Sequence, residues 1–207
     1  MNDYLSVAGL SEYSYEVSRS LFVCRLFPAD TLEEGQKSAT GIRKRFPDAT
    51  HHCYAFIGPP DSGIRKCSDD GEPQGTAGQP ILAVLAKHNL YAVCAVVTRY
   101  FGGIKLGAGG LTGAYTKAAA GAVESAKIIK YVWSAVFRAE LTYGEYTTAE
   151  KRFRESNIKV LKTIFDTQVT TEFAVPYAEA EKISCFLEEL TSGKQSQRII
   201  NNQYILY

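Results

Sequence analysis

Over the last third of the chain, apolar positions alternate with polar ones in some segments and recur every three or four residues in others. Alternation predicts half-buried strands, and the longer spacing predicts helices with one apolar face. The predicted order is strand, helix, strand, strand, helix, strand, at residues 137–143, 144–157, 158–165, 169–176, 183–190 and 199–206. This β-α-β-β-α-β order is typical of a ferredoxin-like domain, with its helices on one face of an antiparallel sheet.

The preceding residues also alternate between strand and helix patterns. Strands are predicted at residues 15–27, 51–58, 64–68 and 91–98, and helices at 30–46, from 76 onward, and at 110–127. The segment 91–98 is strongly apolar, which predicts a strand buried on both faces. Asp30 and Thr76 are the predicted N-cap residues of two helices, because Glu33 and Gln79 follow them at capping-box spacing.

The distribution of glycine separates these two regions. Of the 17 glycines, 14 lie between Gly35 and Gly121, and only Gly144 and Gly193 follow residue 135. The first region therefore contains special loops, whereas the second is built from plainer secondary structure. We predict an α+β protein with two domains, residues 1–133 and 134–207.

Composition and charge exclude several classes of protein. In this chain of 207 residues, 45% are hydrophobic and 22% are charged, as in ordinary globular proteins. No apolar run is long enough for a membrane helix, and the first residues lack the apolar segment of a signal peptide. Five cysteines without a C-x-x-C pair indicate reduced thiols, so we expect a cytoplasmic protein without a resident cofactor. The net charge of +1 requires any RNA binding to come from a local patch.

The stretch SDDGEPQGTAGQP, residues 68–80, joins a predicted strand to a predicted helix. Its Asp69, Asp70 and Glu72 have two interpretations. Closely spaced carboxylates can share Mg²⁺ or Ca²⁺, or they can accept hydrogen bonds from the backbone of a solvated turn. The remaining candidate residues of this loop are Gly71, Gly75 and Thr76.

A second glycine-rich stretch, TRYFGGIKLGAGGLTG, follows the apolar strand and opens a helix. Its glycines can turn backbone N–H groups toward a ligand, and a helix start carries partial positive charge. Arg99 and Lys105 add full charges, so the loop is a candidate cradle for a phosphate group. Tyr100 and Phe101 could stack on bases or belong to the core. The candidate glycines are Gly102, Gly103, Gly107, Gly109 and Gly110.

Competing interpretations remain for this region. The glycines could instead serve tight packing at a domain corner, and the stretch matches neither a P-loop nor a dinucleotide fingerprint. The neighbouring His51 and His52 open a predicted strand and should point to opposite faces, without an obvious catalytic partner in the sequence.

Two long motifs, DDGEPQGTAGQPI and VTRYFGGIKLGAGGL, resemble those of the IMPACT family, and of its bacterial YigZ-type members in particular. The resemblance covers nearly the whole chain. It implies a first domain similar to the second domain of a small-subunit ribosomal protein, with a left-handed crossover. It also implies a C-terminal domain similar to the last domain of elongation factor G.

The resemblance implies a translation-associated regulatory protein that binds RNA or a ribosomal surface, with a translation factor as a further partner. It supplies no catalytic residues, and neither a membrane nor specific DNA is an expected partner. The alternative is a metal-assisted enzyme or ligand-binding protein acting on a phosphorylated small molecule. A third hypothesis is a protein-interaction module that docks through the C-terminal sheet.

Overall fold

In the computed structural model, residues 3–156, 158–194 and 197–207 are described, and the chain forms two units, residues 3–130 and 131–207. Helices and antiparallel sheets are both present, so the predicted α+β class is confirmed. The first unit contains the elements β1 (Tyr4–Val7), β2 (Ser11–Val17), β3 (Ser20–Pro28), α1 (Leu32–Arg45), β4 (His51–Ile57), β5 (Arg65–Ser68), α2 (Gly78–Lys87), β6 (Val93–Tyr100) and α3 (Gly107–Glu124).

The main sheet of the first unit has the strand order β2-β3-β6-β4-β5, with every neighbouring pair antiparallel. Helices α2 and α3 cover one face, and α1 covers the other. Alternate residues of β6 enter the two cores, so the prediction of a strand buried on both faces is confirmed. Four alanines of α3 are buried, and a Cβ on Gly121 would collide with the ring of Tyr13, as expected for close helix packing.

Several predicted boundaries and caps in this unit are wrong. The predicted strand 15–27 overlaps two strands, β2 and β3, because Ser18 and Arg19 both adopt positive φ and form a hairpin turn. Helix α1 is capped by Thr31 with Glu34, one residue later than the predicted pair at Asp30 and Glu33.

The starts of the other two helices also differ from the prediction. Ala77 precedes α2 and makes no side-chain cap, so Thr76 is not its N-cap; the carboxylate of Asp69 caps this helix instead. Helix α3 begins at Gly107, three residues before the predicted start. Gly107, Gly109 and Gly110 therefore lie in its first turn and not in a loop, although glycine has a low helix propensity and Gly107 has positive φ.

The second unit contains β7 (Ile128–Leu141, which starts in the first unit), α4 (Tyr143–Glu155), β8 (Lys159–Phe165), β9 (Val169–Pro176), a short 3₁₀ turn (Tyr177–Glu179), α5 (Ala180–Leu190) and β10 (Gln197–Leu206). The element order is β-α-β-β-α-β, as predicted. The strands lie in the order β10-β7-β9-β8, all antiparallel, and α4 and α5 pack with β7 and β9 around one core. The predicted helix end at Asn157 lies outside the described residues.

Two further observations concern the whole described chain. No helix in the described ranges has the length and apolar character needed to cross a membrane. All five cysteines are free, and Cys24, Cys53 and Cys94 are buried.

Candidate functional site

The two glycine-containing loops line one pocket of about 360 Å³ in the first unit. The pocket lies where the loop before α2, the end of β6 and the start of α3 meet the start of β4. Its walls are formed by Thr50, His51, Glu72, Pro73, Arg99, Phe101, Lys105, Leu106, Gly107, Ala108 and Leu111. Residues predicted from separate motifs are therefore brought together at one site.

A buried ion pair connects the two loops. The Nη1 atom of Arg99 donates to Oε1 of Glu72 at 2.6 Å, and both side chains are almost fully buried. The hydroxyl of Tyr115 donates to the same oxygen at 2.8 Å. Burial raises the pKa of Tyr115 well above its ordinary value, so this hydroxyl stays protonated as a donor. The Nε atom of Arg99 is buried and has no hydrogen-bond partner among the described residues.

The two adjacent histidines have different environments. His51 lines the pocket: its Nδ1 lies 2.8 Å from the carbonyl oxygen of Asp70, and its Nε2 lies 3.9 Å from Oε2 of Glu72. His52 is buried, with its ring nitrogens near Thr98 Oγ1 and the Phe46 carbonyl oxygen. Burial lowers the pKa of His52, which favours the neutral ring.

In the loop at residues 69–76, the carboxylates bind groups of the protein itself. Asp69 accepts hydrogen bonds from the amides of Gly75, Ala77 and Gly78. Burial alone would raise the pKa of Asp69, but these three bonds outweigh it, and the pKa lies below its ordinary value. Asp70 pairs with Arg43 and accepts from the amide of His52.

The remaining groups of this loop shape its turn. Gly71 and Gly75 have positive φ, and the hydroxyl of Thr76 donates to the carbonyl of Pro73. Across the described ranges, no cluster of three or more histidine, cysteine or carboxylate side chains could hold a metal ion. Asp69, Asp70 and Glu72 are directed to separate partners, which gives no geometric support to a shared cation.

In the loop at residues 99–106, two amides are already used. The amide of Phe101 donates to Thr50 Oγ1, and the amide of Gly102 donates to Ser20 Oγ, both at 3.1 Å. A Cβ on Gly102 would collide with the backbone of Arg19, so this glycine serves close packing. By contrast, Cβ positions at Gly103, Gly107 and Gly109 would face open space.

The start of α3 carries uncompensated positive potential. Its N-cap residue, Leu106, makes no side-chain hydrogen bond, and its first turn contains no acidic residue. The first N–H groups of a helix have no intrahelical partner, and they carry roughly half a positive charge together. The residues of this turn are exposed, as is Lys105 immediately before it. This corner of the pocket therefore favours an anion.

The two aromatic candidates differ in exposure. Phe101 lines the pocket with 46% of its surface exposed, and the Arg99 guanidinium lies 5.4 Å from its ring centroid. Tyr100 is half-buried at the end of β6, in register with Leu21 of β3. Of the two rings, Phe101 has the exposed face that stacking on a base requires.

Sequence patterns alone did not identify several residues of this site. The predicted site residues do not include Tyr115, Cys53, Thr50, Pro73 or Leu111. A buried tyrosine hydroxyl requires a partner, which is a usable signal for Tyr115. Burial raises the pKa of Cys53 to about 12, so its thiol is not a nucleophile at neutral pH.

The second unit holds a larger cavity of about 730 Å³ beside β7, α5 and β10. Its lining residues carry both signs of charge, including Arg138, Glu140, Glu188 and Lys194. Because charges of both signs line this cavity, its electrostatic potential favours neither an anion nor a cation.

Comparison with known proteins gives consistent matches for both units. The family model described as Impact N-terminal domain matches residues 18–123, and a domain of unknown function, DUF1949, matches residues 140–194. A Bacillus subtilis (strain 168) protein named IMPACT family member YvyE is 36% identical over 194 residues, covering 94% of this chain and 89% of the relative.

Further relatives extend these matches. The Escherichia coli (strain K12) protein named IMPACT family member YigZ is 32% identical over 180 residues, covering 86% of this chain and 88% of the relative. A crystal structure titled only as that of a hypothetical protein is similar with a TM-score of 0.64 at 30% identity. That similarity covers 99% of this chain and 97% of the solved one.

Proposed function

Because the chain belongs to the IMPACT family, we propose that it is a translation-associated regulatory protein that binds RNA at the pocket of the first unit. The observation that carries this proposal is the anion-favouring corner at Lys105 and the start of α3, next to the exposed ring of Phe101. An RNA strand offers both matching groups, a phosphate and a base with a stacking face.

Each part of the pocket has a role in this proposal. Lys105 and the free N–H groups of the first turn of α3 bind a phosphate, and Phe101 stacks on the adjacent base. The positive charge of Arg99 is neutralised by Glu72, so Arg99 supports the pocket wall and does not supply the phosphate-binding charge. Gly103, Gly107 and Gly109 leave the approach to this corner free of side chains.

The proposal also covers the partners and the cellular location of the protein. It includes the resemblance of the first unit to a ribosomal-protein domain and of the second to the last domain of elongation factor G. In this proposal the RNA or ribosomal surface belongs to the translation apparatus, a translation factor is a further partner, and the location is the cytoplasm.

The test measures binding of a short single-stranded RNA over a series of salt concentrations. Lys105→Ala should weaken binding and reduce the slope of log K against log salt by about 1, as expected for loss of one phosphate contact. The matched control is Lys87→Ala, which removes the same charge from an exposed position at the end of α2. Equal affinity and salt slope in Lys105→Ala and the wild type would remove this corner from the binding site.

A small phosphorylated ligand is the second candidate, because the pocket volume lies in the range of small-molecule sites. Calorimetric titration with a mononucleotide, with and without Mg²⁺, separates the two candidates. Saturable heat with the mononucleotide and none with RNA would favour the second one. Binding of the mononucleotide only in the presence of Mg²⁺ would support the metal-assisted alternative.

A further inference from the structure

We propose that the pocket recognises the free 2′,3′-cis-diol of a ribonucleotide, with His51 Nε2 and Glu72 Oε2 as paired acceptors. This inference rests on the proposed function and specifies its ligand. The same chemistry occurs at the unblocked 3′ end of an RNA chain and in a free ribonucleotide.

The protein leaves these two acceptors unused. A carbonyl oxygen can only accept, so the 2.8 Å contact between His51 Nδ1 and the Asp70 carbonyl places a proton on Nδ1. In the neutral ring, Nε2 therefore keeps its lone pair. Glu72 receives both of its donors, from Arg99 and Tyr115, on Oε1. Within the described chain, Oε2 accepts no hydrogen bond, and His51 Nε2 lies 3.9 Å from it.

The separation and charge of these atoms favour hydroxyl donors. At 3.9 Å the two atoms are too far apart for a normal hydrogen bond, so each can accept from a donor outside the protein. An anionic group has no proton to donate to either acceptor, and a cation would be repelled by Lys105 and the start of α3. Two vicinal hydroxyls are neutral, and each can donate to one acceptor.

The rest of the pocket fits the remainder of a nucleotide. Lys105 and Gly107 line the same cavity as His51 and Glu72, so one ligand can present a phosphate to the former and hydroxyls to the latter. The volume of about 360 Å³ is at the low end of small-molecule sites and suits a single nucleotide. Nucleotides inside an RNA chain carry an esterified 3′ oxygen, so only the terminal one has the diol.

The experiment compares three RNAs of one sequence, each labelled at the 5′ end, by fluorescence anisotropy at low salt. The first has a free 3′ end, the second a terminal 2′-deoxynucleotide, and the third a 3′-phosphate. Loss of a hydrogen bond to a charged or buried acceptor should weaken binding by about tenfold or more for the second and third. Equal affinity of all three would overturn the inference while leaving the proposed RNA binding intact.

A competition arm separates the two sources of the diol. Adenosine 5′-monophosphate and its 2′-deoxy analogue are titrated calorimetrically against the protein. If no RNA binds but the ribonucleotide binds at least tenfold more tightly than the deoxy form, the diol site stands and the RNA function fails. If neither RNA nor ribonucleotide binds, both proposals fail.

Variants assign the discrimination to the named acceptor. His51→Phe should reduce the preference for the free 3′ end over the terminal 2′-deoxynucleotide by about fivefold, because only the acceptor at Glu72 Oε2 remains, whereas His88→Phe at the exposed end of α2 should keep it. Thermal unfolding of both variants monitors folding. The readout is the ratio of the affinities for the RNA with a free 3′ end and the RNA with a terminal 2′-deoxynucleotide. A general loss of stability lowers both affinities equally and leaves this ratio unchanged. Retention of the full preference in folded His51→Phe would overturn the assignment.

Discussion

The loop at residues 69–76 and the segment at residues 99–110, which runs from the end of β6 to the first turn of α3, line the same pocket, but their polar groups have different partners. In the first loop, the carboxylates of Asp69, Asp70 and Glu72 all bind groups of the protein itself. In the second, Lys105 and the start of α3 remain exposed, without a side-chain cap or an acid in the first turn. The first loop therefore binds mainly the protein itself and leaves, of its carboxylate oxygens, only Oε2 of Glu72 without a hydrogen bond from the described residues, whereas the second leaves its positive charge open to a ligand.

This difference follows from the local supply of partners. A carboxylate placed before a helix meets backbone N–H groups within its reach, so it caps the helix and loses its capacity for a cation. The first turn of α3 contains glycine and alanine, and these residues supply no acceptor for its N–H groups. Acidic residues near a cleft are thus weaker evidence for a ligand than an uncapped helix start beside a buried ion pair.

Glu72→Ala should give the largest effect, since it leaves the buried guanidinium of Arg99 unpaired. The expected loss in the free energy of unfolding is about 3–5 kcal/mol, the usual cost of breaking a buried ion pair. Urea denaturation measures it, with Glu16→Ala on exposed β2 as a control that should change stability by less than about 0.5 kcal/mol. A Glu72→Ala variant as stable as the control would mean that the pair is not structural.

Gly102→Ala should come next, at about 2–3 kcal/mol, because the added methyl group meets the backbone of Arg19. Gly113→Ala is the matched control: its Cβ meets nothing within 4 Å, and alanine should stabilise α3 by up to about 1 kcal/mol. Opposite signs in thermal unfolding would separate a packing glycine from a helix glycine. Two destabilised variants would contradict the assignment of Gly113 to open space.

The elements of the fold were largely predictable from local pattern. The apolar run at 91–98 correctly predicted a doubly buried strand, since apolar residues occupy both faces of β6: Val93, Ala95 and Val97 on one, Cys94 and Val96 on the other. The hairpin at Ser18 and Arg19 was missed because neither residue is a usual turn signal at positive φ. The predicted start of α3 is too late because glycine is a poor helix former, so Gly107, Gly109 and Gly110 do not predict a helix start.

The pocket was predictable in part. Glycine spacing and charge identified candidate residues in both loops, but these patterns did not predict which side chains contact each other. Glu72 contacts Arg99, 27 positions away, and Tyr115, 43 positions away, and no sequence period encodes such contacts. His51 was judged to lack a partner for the same reason, since Glu72 reaches it only through the fold.

Asp69→Asn tests the first loop at a finer level. One of the two carboxylate oxygens becomes an amide donor, so the three backbone amides lose part of their acceptor, at a cost of about 2 kcal/mol near neutral pH. Because the pKa of Asp69 in the folded protein lies below its ordinary value of 3.8, the carboxylate stabilises fully above about pH 5. This stabilisation is lost as the pH falls through the folded pKa.

The measurement for this prediction is urea denaturation of both proteins between neutral and acidic pH. The gap in stability between the wild type and Asp69→Asn should narrow on acidification. Asp61→Asn, on an exposed loop residue, is the control and should follow the wild type throughout. A gap that stays constant down to acidic pH would show that the charge of Asp69 contributes nothing.

The smallest effect on stability is expected for Phe101→Ala, in the second loop. Nearly half of the ring is exposed, and its contact with Arg99 is a cation–π interaction at 5.4 Å, so the loss should stay below about 1 kcal/mol. RNA binding should weaken by about 1–3 kcal/mol, the usual contribution of one stacked base. Tyr177→Ala removes a similarly exposed ring from the second unit and should leave RNA binding unchanged. A Phe101→Ala variant that loses stability but keeps its RNA affinity would show that Phe101 belongs to the core and not to the binding surface. The contrast between the two loops would then depend on Lys105 and the start of α3 alone.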